Sequence, residues 1–60
     1  MNYYAIGETV YDEEIYTDSG FDGQSLAAFI KECREILTEF DGGHLDIFNE
    51  DDEFVGDVEV

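Results

Sequence analysis

One histidine (His44), one cysteine (Cys33) and the hydroxyls of Ser19 and Ser25 are the side chains from which nucleophilic or general-base chemistry could be built. Neither serine has a basic group placed to activate it in a recognisable motif. Carboxylates are so abundant that two lying close together carry no diagnostic weight for glycosidase-type catalysis. The inventory predicts that the chain is not an enzyme. Cys33 has no partner for a disulfide and falls within an apolar helical stripe. It reads as a small buried hydrophobe in a reducing compartment.

Ligand-binding loops fare no better. In Asp18-Ser19-Gly20-Phe21-Asp22-Gly23, setting Gly23 at position six of a calcium loop puts Asp18 and Asp22 at ligand positions one and five. Gly20 then takes position three, and Phe29 stands at position twelve, where a bidentate Glu is required. Asp18 and Asp22 also argue against a phosphate-cradling loop. Glu50-Asp51-Asp52-Glu53 reads as a solvated turn that binds divalent ions loosely at most. No cofactor or metal is predicted.

What remains is charge. Seventeen Asp and Glu oppose two Lys and Arg, a formal net charge of −15 on 60 residues. A small domain stays soluble with roughly 2–8 units, and more adds self-repulsion. Yet 43% of the residues are hydrophobic and 15% aromatic, unlike a disordered acidic tail. The composition predicts one folded domain, residues 1–60, presenting negative charge to a strongly basic partner, foremost a protein that holds nucleic acid. Nucleic acid itself and anionic membranes would repel it. No apolar run approaches the ~18 residues of a membrane span. Met1-Asn2-Tyr3-Tyr4 lacks the basic and apolar regions of a secretory leader. A cytoplasmic protein is expected.

The elements that must hold these acids follow from periodicity. Leu26, Phe29, Ile30, Cys33, Ile36, Leu37 and Phe40 form one helical face over 25–40. Asp22 or Ser25 serves as N-cap, and Gly42-Gly43 as a left-handed stop. His44 to Asn49 and Phe54 to Val60 alternate with period two around the 50–53 turn. A hairpin with Asp51-Asp52 at its tip pairs Asn49 with Phe54, Ile47 with Gly56 and Leu45 with Val58. That register turns Leu45, Ile47, Phe54, Val58 and Val60 toward the helix. His44, Asp46, Phe48, Val55, Asp57 and Glu59 take the other face. Asn2 to Gly7 and Glu14 to Thr17 read as strands, with Thr9 to Tyr11 extending the first. Ser19-Gly20 and Asp22-Gly23 break the chain before the helix. The predicted fold is α+β: an antiparallel sheet of three or four strands with one helix across it, in the order ββαββ. No internal repeat is evident.

On these elements the acids form groups. Glu32, Glu35 and Glu39 make a stripe beside the buried helix face, ~4.5–6 Å apart along the axis. Asp57 and Glu59 lie ~6.8 Å apart on one strand face, and Asp46 stands opposite Asp57. These intervals resemble the roughly 6–7 Å between neighbouring phosphates of a DNA strand. Each like-charge pair costs on the order of 0.2–1 kcal/mol. Glu39 and Asp41 also occupy the wrong end of the helix dipole. Only Lys31 and Arg34 offer relief, for example Lys31 with Glu35. Phe48 and Val55, ringed by Asp46, Asp57 and Glu59, would anchor a partner through apolar burial while charge sets register.

In size, acid count, the Glu32/Glu35/Glu39 stripe and the Asp46/Asp57/Glu59 and Glu50-Asp51-Asp52-Glu53 groups, the chain resembles small phage-encoded DNA-mimic inhibitors. These include anti-CRISPR proteins, anti-restriction proteins and uracil-DNA glycosylase inhibitors. The resemblance is one of character, covers the whole chain and carries no residue-by-residue match. It implies an inhibitor, monomeric or homodimeric, that blocks the nucleic-acid site of a CRISPR effector in a bacterial host cell. Restriction enzymes and glycosylases are the alternatives in the same class. An adaptor for another basic protein, such as a toxin, and a domain adapted to high cytoplasmic salt are readings of other kinds.

Overall fold

The computed structural model describes residues 2–19 and 23–60. Five elements follow one another: β1 Tyr3–Thr9, β2 Glu14–Asp18, α1 Leu26–Glu39, β3 Gly43–Asn49 and β4 Phe54–Glu59. The strands form one antiparallel sheet in the order β2-β1-β3-β4, and the helix packs across one face. The ββαββ expectation holds, with four strands.

Helix α1 starts where Ser25 accepts a hydrogen bond from the Ala28 backbone N–H at 3.1 Å, satisfying one of the orphan donors of the first turn. Gly20, Phe21 and Asp22, which include the alternative cap and part of the expected chain break, lie outside the described residues. At the other end, Gly42 N–H reaches Leu37 O at 2.7 Å and Asp41 N–H reaches Thr38 O at 3.2 Å, the paired bonds of a Schellman motif. The left-handed residue of that motif is Asp41, at φ 67°, and not the glycine expected there. Tyr11 explains part of the tolerance: its hydroxyl donates to the Asp41 carboxylate at 2.8 Å.

The core is small. Phe29, Cys33 and Leu37, spaced four apart on α1, meet Ala5, Leu45, Ile47 and Val58 from the sheet. Tyr3, Ile15, Leu26, Ile30 and Val55 close its rim. Gly7 stands opposite Leu45, and a Cβ there would lie only 2.8 Å from the Leu45 Cα, so β1 and β3 approach closely at this point.

Both hairpins use one turn, which the sequence reading did not find. Asp12 N–H bonds Thr9 O at 3.1 Å and Thr9 N–H bonds Glu13 O at 2.9 Å; Asp52 N–H bonds Asn49 O and Asn49 N–H bonds Glu53 O, each at 3.0 Å. Asp12 and Asp52 both sit at φ 62°, completing a three-residue loop with a left-handed final residue. The first side chain of each turn accepts twice. Thr9 Oγ1 takes the N–H groups of Tyr11 and Glu13, and Asn49 Oδ1 those of Asp51 and Glu53. Each start in the second hairpin lies forty positions beyond its counterpart: Tyr3 and Gly43, Thr9 and Asn49, Glu14 and Phe54. Half a turn about an axis through the facing pair Ile6 and Asp46 therefore relates β1 and its turn to β3 and its turn, while a register shift in the second hairpin offsets β4 by one residue from β2. The repeat is of backbone, with little residue identity to reveal it.

Candidate protein-binding face

Helix α1 covers one side of the sheet and leaves the other open. Alternation along the strands sorts the open side into rows. At one end Glu14, Glu8, His44 and Glu59 stand side by side across β2, β1, β3 and β4. The next row is Tyr16, Ile6, Asp46 and Asp57. The last is Asp18, Tyr4, Phe48 and Phe54.

An aromatic file crosses all four strands of this face. Tyr16 stacks with Tyr4 at 6.1 Å between ring centroids, Tyr4 stacks with Phe48 at 5.2 Å, and Phe48 meets Phe54 edge to face at 5.9 Å. Phe54 is 60% and Tyr16 65% exposed, so the file is a surface feature. Its last member departs from strict alternation, which predicts Val55 outward and Phe54 inward. Leu45–Val58, Asp46–Asp57 and Ile47–Gly56 pair as expected, but the ladder shifts between Ile47 and Phe48, and Phe48 pairs with Phe54. The extra residue, Val55, forms a β-bulge and packs against the core. Asn49 consequently pairs within its turn with Glu53 and not with Phe54.

The acids named from the sequence fall into separate places. Asp46, Asp57 and Glu59 share the open face with Phe48. His44 Nε2 lies 3.2 Å from both Asp46 Oδ1 and Asp57 Oδ2. Its pKa is raised, chiefly by the hydrogen bond to Asp57 and further by the charges of Asp46, Asp57 and Glu59, with burial opposing. Glu50, Asp51, Asp52 and Glu53 form the exposed tip adjoining the aromatic end. There Tyr4 donates its hydroxyl to Asp52 at 2.7 Å, and Asn49 Nδ2 donates to Glu53 at 3.2 Å. Glu32, Glu35 and Glu39 are exposed on the helix, on the opposite side of the molecule. One flat partner cannot touch both sets.

The ion pairs among the described residues all involve His44; the expected Lys31–Glu35 pair is not formed. Lys31 and Arg34 both belong to α1, so the open face carries no Lys or Arg. Tyr4, Tyr16, Ile6, Glu8, Glu14 and Asp18 join this face in addition to the residues expected from the sequence. The period-two alternation of Tyr4, Ile6 and Glu8 was available to find them, but the partner strands were needed to show which side they share.

Cys33 is fully buried, and burial followed by the neighbouring Glu32 charge pushes its thiol up to about 11. That is the opposite of an activated nucleophile. No helix among the described residues is long and apolar enough to cross a membrane. No protein-family model, curated protein or solved structure matches the chain.

Proposed function

We propose that the protein is a DNA-mimic inhibitor of the anti-CRISPR kind. It acts in the bacterial cytoplasm by seating its open sheet face in a Lys/Arg-lined groove of a CRISPR effector, which excludes target DNA. The observation that carries this reading is the face itself: an exposed aromatic file beside carboxylates, with both Lys31 and Arg34 on the far side of the molecule. Aromatic rings give a partner area to bury and faces on which guanidinium groups stack. The carboxylates steer a cationic groove and fix its register.

Self-repulsion stored in the free protein works in the same direction. Asp46 and Asp57 face each other across β3 and β4, and a cationic partner converts that cost into attraction. Carboxylates on neighbouring strands, ~4.8 Å apart, and on alternate residues, ~6.8 Å apart, offer spacings a phosphate-binding groove accepts.

Competition in a gel shift tests the proposal. Increasing amounts of the protein should displace target DNA from a susceptible effector complex, with an affinity that falls steeply as salt rises. Unchanged DNA binding by a panel of effectors at saturating protein overturns the CRISPR assignment. The same assay on restriction enzymes and uracil-DNA glycosylase separates the related targets.

A further inference from the structure

We propose that His44, Asp46 and Asp57 form a binding site for one divalent cation of the zinc class, with the imidazole Nε2 and one oxygen from each carboxylate as ligands. This goes beyond the inhibitor reading and does not depend on it.

The sheet assembles the three groups. His44 and Asp46 are two residues apart on β3 and share a face, and Asp57 stands directly across from Asp46 on β4. Gly43 and Val60 exchange both N–H···O bonds at 3.0 Å. Counting along the antiparallel ladder, Asp46 and Asp57 form a non-hydrogen-bonded pair, the type in which side chains approach most closely. The two carboxylates are thus held where they repel, with one imidazole between them.

Two of the three ligand separations match a coordination shell. Nε2 is 3.2 Å from Asp46 Oδ1 and 3.2 Å from Asp57 Oδ2, and a ligand atom from each residue lies within 4.8 Å of the others. Ligands at about 2.0–2.2 Å in a tetrahedron around zinc are separated by roughly 3.3 Å. A single Nε2–H has one hydrogen for two acceptors at equal distance, so it cannot point squarely at both. A cation in that gap would be in contact with all three.

Ligand chemistry selects the metal. One imidazole with two carboxylate oxygens suits zinc or another borderline ion, whereas calcium requires six to eight oxygens and magnesium keeps most of its water. Three protein ligands leave a fourth position open to water on the exposed face. Glu8 and Glu59, the cross-strand neighbours of His44, add negative potential at the same end of the sheet.

Titration calorimetry of the whole, chelator-treated chain with zinc chloride tests the site, with calcium chloride as the measure of diffuse screening. One zinc per chain is expected, with calcium at least tenfold weaker. Both His44→Gln and Asp57→Asn should weaken zinc at least tenfold. In the unaltered protein, the 15N resonances of the His44 ring should shift on zinc addition and remain unmoved by calcium. Equal affinities for the two ions, a His44→Gln chain that binds zinc undiminished, or unshifted ring resonances would overturn the assignment.

Discussion

Phe48 and Phe54 meet edge to face, with ring centroids 5.9 Å apart, because β4 uses one residue more than the stretch His44 to Phe48 that it pairs with. The bulge at Val55 turns Phe54 out to solvent and Val55 in toward the core cluster.

That exchange reverses the ranking strict alternation would give. Val55→Ala should cost about 1 kcal/mol, through lost packing at the core rim. Phe54→Ala, which removes an exposed ring, should cost about 0.5 kcal/mol while weakening partner binding. Urea denaturation of both variants settles the order. A Phe54 substitution costing clearly more than the Val55 one would restore the unbulged register.

Asp12 occupies a left-handed position that glycine adopts without steric cost, and no hydrogen bond among the described residues uses its side chain. Asp12→Gly should therefore stabilise the fold by about 0.5–1 kcal/mol, combining relieved backbone strain with the loss of one repelling charge. Asp52→Gly should gain less, since Tyr4 loses its acceptor. Thermal melts of the two variants side by side give the comparison; equal gains would show that the Tyr4 bond contributes nothing.

The two acidic sets lie on opposite sides, so they separate experimentally. Changing Asp46, Asp57 and Glu59 together to their amides should abolish inhibition. Changing Glu32, Glu35 and Glu39 to Gln should leave inhibition within about threefold, a shift below ~1 kcal/mol. Both triple variants should melt higher than the parent in dilute buffer, because each removes like-charge pairs. Inhibition lost only in the helix variant would move the contact to α1.

Alkaline pH supplies a check on three buried or bonded groups. The Tyr4 phenol is raised by its bond to Asp52, the Tyr11 phenol by its bond to Asp41, and the Cys33 thiol by burial, up to about 11. A group whose folded pKa is raised contributes stability in full below its unfolded value, and that share is lost as pH rises through the folded one. For Cys33 the window opens at 9.0 and closes near 11; for the tyrosines it opens at 10.0. Stability measured by denaturant should decline across this range. Tyr4→Phe and Tyr11→Phe should each flatten the decline, and a slope unaltered in both variants would argue that the phenol bonds are absent in solution.

Much of this architecture was legible because burial is periodic. The 3.6-residue stripe from Leu26 to Phe40 marked the helix, and Leu45 and Ile47 marked the inward side of β3. The bulge was not legible, since Phe54 and Val55 are both apolar and either suits the core. Asp41 as the left-handed cap was hidden by two following glycines that fit the rule better. The aromatic file was invisible for a different reason: Tyr16, Tyr4, Phe48 and Phe54 are scattered along the chain, and only strand order brings them together. Phe48, Asp46, Asp57 and Glu59 were found from one hairpin alone, which is why that half of the face was anticipated and the β1–β2 half was not.

The half-turn relating the two central strands has a consequence for docking. Exchanging them interchanges the two ends of the sheet, yet one end bears His44 with flanking glutamates and the other bears stacked rings. A partner guided only by the main-chain shape of the two central strands and their turns would settle equally well facing either way. The side chains break that tie, giving a nearly symmetric scaffold a head and a tail.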